Sequence, residues 1–322
     1  MKRRDVWAVA AALAPPYLQG AAAADARTSR LGILAFSAAE SARLDVFFAE
    51  LAKQGHALGR NLTLERRYWQ EVGIDAAASA LVALKVDVIF ADGGTPAAQA
   101  AKRATSSIPI VFESAAPVAF GLVASLAHPA GNLTGLSIQG SAITAKQMEA
   151  MASALGTFSS MACILPSGAR SFAWYPTYID AVTAAATTLR VKTEFHEVAN
   201  LAECETLIRQ LAERHVSAVD IFDGGPAAGL DYERVAALCL RHRLPAIGPV
   251  QLCFLLSCGY DTQLISQRLA YFVGRILNGA KPSELPVEEF STLLLGLNLK
   301  TARALGLSIP RSLVLRADRV IE

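Results

Sequence analysis

Short apolar runs alternate with longer amphipathic stretches along most of the 322-residue chain. Apolar runs of this length predict β-strands, and the amphipathic stretches between them predict the α-helices of a parallel sheet. Because the runs are apolar at nearly every position, we expect strands that helices cover on both faces. In the first half the predicted strands are residues 31–36, 62–68, 86–91 and 108–113, and the predicted helices are 42–54, 75–84 and 96–104.

The second half repeats the same order of elements. The sequence IFADGGTPAA from Ile89 matches IFDGGPAA from Ile221, and SIPIVF from Ser107 answers RLPAIG from Arg243. Such matches also arise by chance in an alanine-rich chain, but the shared order of elements favours an internal repeat. Here the predicted strands are residues 161–165, 192–198, 218–222 and 244–248, and the predicted helices are 172–189, 203–214 and 227–241.

The predicted fold class is α/β, with two similar Rossmann-like lobes whose parallel sheets are joined by a multi-strand hinge. Residues 264–277 predict a helix that crosses back to the first lobe, and the segment from Thr292 is expected to return to the second. Open α/β sheets bind ligands at the carboxyl ends of their strands, so we expect a ligand cleft between the lobes. The predicted lobes are residues 27–137 plus 250–286 and residues 138–249 plus 287–322.

The first 26 residues have the pattern of a secretory signal. A basic start, MKRRD, precedes apolar residues 6–14 and small residues 21–26. The apolar stretch is well short of the roughly 20 residues that span a membrane, and no cysteine nearby could carry a lipid. We therefore expect a periplasmic protein whose residues 1–26 are cleaved. The pair Arg3-Arg4 leaves the choice between the general and the twin-arginine export routes open.

Charge and cysteine content exclude several functional classes. The formal net charge is +2, which gives no electrostatic case for binding nucleic acid. The five cysteines show no CxxC or histidine-paired spacing, so we predict no metal site, and no sequence motif predicts a cofactor. Cys253 and Cys258 either form a disulfide or, like Cys163, Cys204 and Cys239, are small buried apolar side chains.

A glycine-rich turn is the strongest candidate for ligand contact. Gly93-Gly94-Thr95-Pro96 ends a predicted strand and opens a helix, where Thr95 can cap and unpaired N–H groups favour a carboxylate. In the second lobe, Asp223 and Gly224 begin the equivalent turn. The alternative is that both segments are plain strand-to-helix turns.

Other strand ends are expected at the same rim. Asp92, Glu113 and Asp223 would neutralise an amine or cap the following helices, and the scarcity of basic residues there argues against a doubly anionic ligand. Trp69, Trp174 and Tyr175 would offer rings for stacking or would serve only as packing. The complete set of predicted ligand-binding residues is Phe36, Ser37, Gly94, Thr95, Glu113, Ser114, Ser167, Asp223, Gly224 and Tyr260.

Several long stretches resemble one family. They are ALKVDVIFADGGTPAAQAAKRATSSIPIVF from Ala83, GLVASLAHPAGNLTGLS from Gly121, RHRLPAIGP from Arg241, and YFVGRILNGAKPSELPVEEF from Tyr271 with the segment that follows it. The chain resembles the uncharacterised ABC transporter substrate-binding family, whose better-understood members are similar to tryptophan-binding proteins. The resemblance implies the type I periplasmic-binding fold, a small-molecule ligand, an ABC permease as partner and no catalytic residues. We expect a monomer.

Three positions depart from the family pattern. Ala116 stands where relatives usually have an acidic residue, Gly248 where they often have an aromatic residue, and Cys258 where they have a tyrosine. All three are expected near the cleft, so the resemblance leaves the ligand itself open.

The favoured function is the extracytoplasmic solute-binding component of an ABC importer, which captures an amino-acid-like solute by lobe closure. The first alternative is an exported sensing module that reports to a membrane receptor. A two-lobed racemase-like enzyme is less favoured, because the histidines fall mainly in helices or edge strands and no nucleophile motif is present.

Overall fold

We describe the fold from a computed structural model, which covers residues 28–36, 42–138, 140–171, 174–222, 230–249 and 252–322. The predicted signal segment, 1–26, lies outside these residues. The elements of the first part of the chain are β1 (Ser29–Ala35), α1 (Ala42–Lys53), β2 (Leu62–Tyr68), α2 (Trp69–Val72), α3 (Ile74–Ala83), β3 (Val88–Asp92), α4 (Gly94–Ala104), β4 (Ile110–Ser114), β5 (Leu133–Ile138) and α5 (Gly140–Leu155).

The second part continues the alternation of strands and helices. Its elements are β6 (Ser160–Pro166), α6 (Tyr175–Leu189), β7 (Lys192–Val198), α7 (Leu201–Glu213), β8 (Ala218–Ile221), α8 (Tyr232–Arg241), β9 (Ala246–Gly248), β10 (Leu256–Tyr260), α9 (Thr262–Leu277), β11 (Glu288–Phe290), β12 (Leu293–Asn298), α10 (Leu299–Leu305), α11 (Arg311–Arg316) and β13 (Arg319–Ile321).

The strands form two separate sheets. The first has the order β11-β5-β4-β3-β1-β2, and the second has the order β13-β12-β10-β9-β8-β6-β7. Pairing is parallel throughout the first sheet, and in the second only β10 and β12 pair antiparallel. We call each sheet with its covering helices a lobe. The predicted α/β class with two parallel lobes is confirmed.

Helices cover both faces of the first sheet, as the apolar runs predict. Leu31 and Ile33 of β1 point into a core that includes Phe47 of α1 and Leu269 of α9. Leu34, on the opposite face, belongs to a second core with residues of α3 and α4. Burial of alternate side chains in two cores explains why residues 31–35 of this strand are all apolar.

The second lobe is built on the same plan. Ala162 and Ile164 of β6 belong to a core that α7 and α8 cover, while Cys163 and Leu165 face a core that includes Met148 of α5 and Val182 of α6. In the described part of the chain, none of the helices combines the length and the apolar character that a bilayer crossing requires.

Chain crossings between the sheets occur after β5, after β10 and after β11. As expected, α9 packs on the first sheet and β12 joins the second. The predicted lobe boundaries stay a prediction, but strand pairing differs from them at two places. Leu256–Tyr260 lies in the second sheet and Glu288–Phe290 lies in the first. An apolar run does not indicate which sheet its strand joins. The predicted boundaries therefore precede the crossings that follow β10 and β11.

Candidate functional site

The carboxyl edges of the two sheets meet beside the chain crossings. β11 ends at Phe290 on the carboxyl edge of the first sheet, and Leu293 pairs with Tyr260, where β10 ends in the second. The two residues between Phe290 and Leu293 let these positions lie at most about 11 Å apart. The Tyr260 and Phe290 rings touch edge to face at 5.8 Å, and the Asp261 amide donates to the Thr292 carbonyl at 3.3 Å. Residues at both carboxyl edges are therefore gathered around one junction.

An aromatic pair covers the glycine turn of the first lobe. The Phe36 and Trp69 rings follow β1 and β2 and meet edge to face, with centroids 5.8 Å apart. A Cβ atom at Gly93 would lie 1.9 Å from the Trp69 ring. Glycine at this position is therefore what allows the indole to lie against the backbone of the turn.

Two hydroxyl groups bond to each other beside this turn. Thr95 Oγ1, in the first turn of α4, and Ser114 Oγ, at the end of β4, are 2.8 Å apart. Thr95 was predicted as a helix cap, but it lies inside α4, and the capping residue is Gly93, which offers no side-chain acceptor. Within the described residues, the first-turn N–H groups of α4 thus have no capping side chain, and they point toward the carboxyl edge.

A guanidinium lies between two acidic strand ends. Arg43, in the first turn of α1, donates to Glu113 Oε1 across 2.9 Å, and its Nη2 lies 3.6 Å from Asp92 Oδ1. All three side chains are mostly buried, with 20% or less of their surface exposed. Burial raises the pKa of Asp92, the Arg43 charge opposes that rise and the Glu113 charge adds to it. Arg43 and Glu113 are 70 residues apart in the chain, so no local sequence pattern indicates this contact.

The second lobe presents a larger aromatic cluster. Trp174 and Phe222 stack in parallel, with centroids 4.6 Å apart and an interplanar angle of 9°. Tyr178 meets Phe222 edge to face at 4.9 Å. Phe222 directly follows β8, and Trp174 directly precedes α6. We call these three residues the aromatic wall.

A buried carboxyl group lies behind the aromatic wall. The Tyr178 hydroxyl donates to Asp220 Oδ2 across 3.1 Å, and only 2% of Asp220 is exposed. Burial raises the pKa of Asp220 to about 7, although the hydrogen bond from Tyr178 opposes the rise. Burial and the Asp220 charge also raise the pKa of the Cys163 thiol.

The structure brings together five of the predicted ligand-binding residues on the first lobe: Phe36, Gly94, Thr95, Glu113 and Ser114. On the second lobe, Ser167 is exposed at the end of β6, where its amide donates to the Val198 carbonyl. Tyr260 is 7% exposed and packs against Phe290 beside the chain crossings. Ser37, Asp223 and Gly224 lie outside the described residues.

Two of the departures from the family pattern have local explanations. The Phe254 ring lies 2.4 Å from where a Cβ atom of residue 248 would be, so Phe254 fills the space beside Gly248. Cys258 lies in a core of the second lobe and Cys253 packs against another, and none of the five cysteines forms a disulfide. The predicted alternative of a Cys253–Cys258 disulfide is therefore not realised.

The family model described as ABC transporter substrate binding protein matches residues 70–321. A tyrosine-binding protein of Clostridioides difficile is 38% identical over 94 residues, which are 28% of this chain. The match spans about a quarter (27%) of the length of that curated relative.

Solved structures share the fold over nearly the whole chain. A conserved domain protein from Vibrio cholerae has a TM-score of 0.79 at 24% identity, over 91% of this chain and 100% of its own. An ABC domain from Streptococcus pneumoniae in complex with L-Trp has a TM-score of 0.74 at 23% identity, over 90% of this chain and 100% of that chain. The predicted type I periplasmic-binding fold is confirmed by such likenesses. They extend to an ABC transporter solute binding protein from Agrobacterium vitis with bound allitol and to a periplasmic binding protein/LacI transcriptional regulator from Alkaliphilus metalliredigens complexed with D-xylulofuranose.

Proposed function

Since the chain belongs to the ABC transporter substrate-binding protein family, we propose that it is the solute-binding component of an importer and captures an aromatic amino acid between its lobes. The observation that carries this proposal is the pair of aromatic surfaces, Trp69 on one carboxyl edge and Trp174 with Phe222 on the other. Two ring surfaces beside one junction suit a planar side chain that stacks between them. Two of the similar proteins support the same choice: one is a tyrosine-binding protein, and the other is an ABC domain in complex with L-Trp.

The polar groups of the first lobe match the remainder of an amino acid. The ammonium group would lie against Asp92 and Glu113, whose two carboxylates share the single guanidinium of Arg43. The carboxylate would accept hydrogen bonds from the first-turn N–H groups of α4 and from the Thr95 hydroxyl. A neutral or acidic planar solute would leave Arg43 as the one cationic partner of the acidic pair among the described side chains.

Capture would proceed by closure of the lobes about the crossings. A ligand that contacts both lobes binds the closed state better than the open one, and that difference in affinity drives closure. An ABC permease would then recognise the closed shape. We place this cycle in the periplasm, with residues 1–26 removed on export, because their composition fits a secretory signal.

Calorimetry with L-tyrosine, L-tryptophan and L-phenylalanine, against L-leucine and a sugar alcohol, tests the ligand class. We expect the aromatic amino acids to bind, and the Trp69→Ala and Trp174→Ala variants to weaken binding by about tenfold or more because a stacking surface is lost. Leu58→Ala is the matched control, since Leu58 is 45% exposed and lies before β2, at the opposite edge of the sheet. Tighter binding of L-leucine or the sugar alcohol would reject the aromatic ligand.

Cell fractionation tests the location. A tagged chain should be found in the periplasmic fraction with an amino terminus near residue 27. Recovery of the uncleaved chain from the cytoplasm would contradict the importer role while leaving the ligand class unaffected.

A further inference from the structure

Asp220 is a charged residue type in the interior of the second sheet. It lies on β8, between β6 and β9, with Cys163 and Ile247 as its cross-strand neighbours. Tyr178 donates to one carboxyl oxygen, and among the described residues Oδ1 has no hydrogen-bond partner. A buried oxygen without a hydrogen-bond partner lowers stability, so its presence in the sheet calls for a functional explanation.

The partner of Asp220 belongs to the aromatic wall. The Tyr178 ring contacts Phe222 at 4.9 Å and Trp174 at 6.2 Å, and Phe195 at 6.3 Å holds its other side. The hydrogen bond to Asp220 fixes where the Tyr178 hydroxyl points, and the ring contacts transmit that position to the Trp174–Phe222 stack. The carboxyl group is thus one side chain removed from the surface on which the proposed ligand stacks.

No positive charge is paired with Asp220 among the described residues. The titratable groups around it are Tyr178 from α6, Cys163 from β6 and Cys258 from β10, and Lys146 of α5 acts on the Cys258 thiol. From β9 it meets Ile247, which is apolar. These surroundings oppose ionisation, because a carboxylate there has lost water and gained one hydrogen bond.

We infer that Asp220 is a positioning residue for the aromatic wall, that it orients the Trp174–Phe222 stack through Tyr178, and that capture of an aromatic solute is coupled to protonation of its carboxyl group. The coupling rests on the proposed function, whereas the positioning of Trp174 does not.

The direction of the coupling follows from desolvation. The Asp220 carboxyl group is itself already out of contact with water. A solute stacked on the aromatic wall displaces the water in front of the wall, which leaves less solvent to screen a carboxylate charge and raises the pKa of Asp220 above its value of about 7 in the free protein. Binding therefore takes up a proton. Affinity is then greatest at low pH and falls as pH rises from about 6 to about 8, by up to tenfold for each unit by which binding raises the pKa.

The positioning is tested without ligand. Trp7→Phe and Trp69→Phe substitutions in the full chain leave Trp174 as its single tryptophan, whose near-ultraviolet circular dichroism is followed from pH 5 to pH 9. We expect a transition near pH 7 that Asp220→Asn abolishes. Tyr178→Phe should move the transition to higher pH, because the hydrogen bond that lowers the pKa of Asp220 is lost.

Asp75→Asn is the matched control, because Asp75 is an exposed carboxylate paired with Arg103 far from the wall. It should leave the transition unchanged. A transition that survives Asp220→Asn would overturn the positioning role, as would the absence of any transition in the single-tryptophan chain and in the chain with all three tryptophans.

The coupling is tested with L-phenylalanine by calorimetry at pH 6, 7 and 8, in buffers of different ionisation enthalpy. The wild-type chain should take up part of one proton on binding, and its Kd should rise about threefold to tenfold over this range. Asp220→Asn should bind with less proton uptake and a smaller rise in Kd, because the contribution of Asp220 is lost while the titration of the ligand and of the other side chains is common to both proteins. Equal proton uptake by the two proteins would overturn the coupling. Absence of binding of L-phenylalanine, L-tyrosine and L-tryptophan by the wild-type chain would overturn both the coupling and the proposed ligand class, with the ligand-free result still deciding the positioning role.

Discussion

Arg43 Nη1 donates a hydrogen bond to Glu113 Oε1 across 2.9 Å, which joins the start of α1 to the carboxyl end of β4, 70 residues further along the chain. The same guanidinium lies 3.6 Å from Asp92. One positive charge is therefore shared by two carboxylates. Among the described side chains, the cluster of Arg43, Asp92 and Glu113 keeps an excess of negative charge. This excess is the basis for placing the ammonium group of the ligand there.

Replacement of Arg43 by glutamine should alter both stability and ligand preference. Asp92 and Glu113 lose their shared counter-ion although both are mostly buried. This loss should lower the free energy of unfolding by about 1–3 kcal/mol. Binding of phenethylamine should strengthen relative to that of L-phenylalanine, because the site becomes more negative and the ligand carboxylate is repelled. Urea denaturation and calorimetry measure the two effects.

Arg103→Gln is the control for that change. Arg103 lies 2.6 Å from Asp75, but more than half of each side chain is exposed. Solvent-exposed pairs contribute little, so we expect a change within about 0.5 kcal/mol and unaltered binding. Equal losses in both variants would indicate that Arg43 is an ordinary surface ion pair.

The repeated α/β plan was predictable because the physics that specifies it is local. β1 and β3 are apolar at successive positions, since helices cover both of their faces. β5 was missed, because its apolar run is interrupted by Thr134, which donates to the Leu285 carbonyl, and by Gly135. α5 was missed because it faces both lobes, with Ile143 on the first core and Met151 on a core of the second.

The candidate site was only partly predictable. Strand ends placed Thr95, Glu113 and Ser114 correctly at one edge, because the carboxyl ends of parallel strands coincide. The partners of these residues depend on contacts between distant segments, and Arg43 carries no local mark of a site residue. Asp220 was missed because an acid inside an apolar strand is recognisable only once its burial is known.

Gly135→Ala should prevent stable folding of the first lobe. A Cβ atom at this position would lie 1.9 Å from the Phe112 carbonyl oxygen, and the backbone φ of +151° disfavours any side chain. Because the obstacle is backbone of the neighbouring strand, we expect a loss of about 3 kcal/mol or more. Thermal denaturation measures it. Gly306→Ala is the matched control: its φ is +76° but its surroundings are open, so the loss should be about 1 kcal/mol.

Thr95→Val should weaken ligand binding and cost modest stability. Valine keeps the shape of threonine but leaves the Ser114 hydroxyl, which is 1% exposed, without its partner. The expected loss is about 1–2 kcal/mol in the free energy of unfolding, together with a severalfold rise in Kd for an aromatic amino acid. Thr95→Ser retains the hydroxyl and should behave as the wild type in both measurements. Unchanged binding by the valine variant would make Thr95 a structural residue of the turn.

Asp220 should make the second lobe less stable as pH rises. An acid in an ion pair has the opposite effect, because its pKa is lowered in the folded state. The pKa of Asp220 is about 7 in the folded chain, against an ordinary value of 3.8, so the folded state binds the proton more tightly than the unfolded state does. Between these two pH values the unfolded chain releases the proton first, and the free energy of unfolding falls as pH rises. The difference between the two pKa values corresponds to a loss of about 4 kcal/mol in the free energy of unfolding, which is complete above pH 7.

Asp220→Asn removes this titration while keeping an acceptor for the Tyr178 hydroxyl. The difference in unfolding free energy between Asp220→Asn and wild type should therefore grow in favour of the variant from pH 4 to pH 8, by a few kcal/mol. Urea denaturation at half-unit pH steps measures it, and titrations shared by both proteins cancel in the difference. A difference that stays constant with pH would mean that Asp220 keeps an ordinary pKa, because the folded and unfolded states would then bind its proton equally.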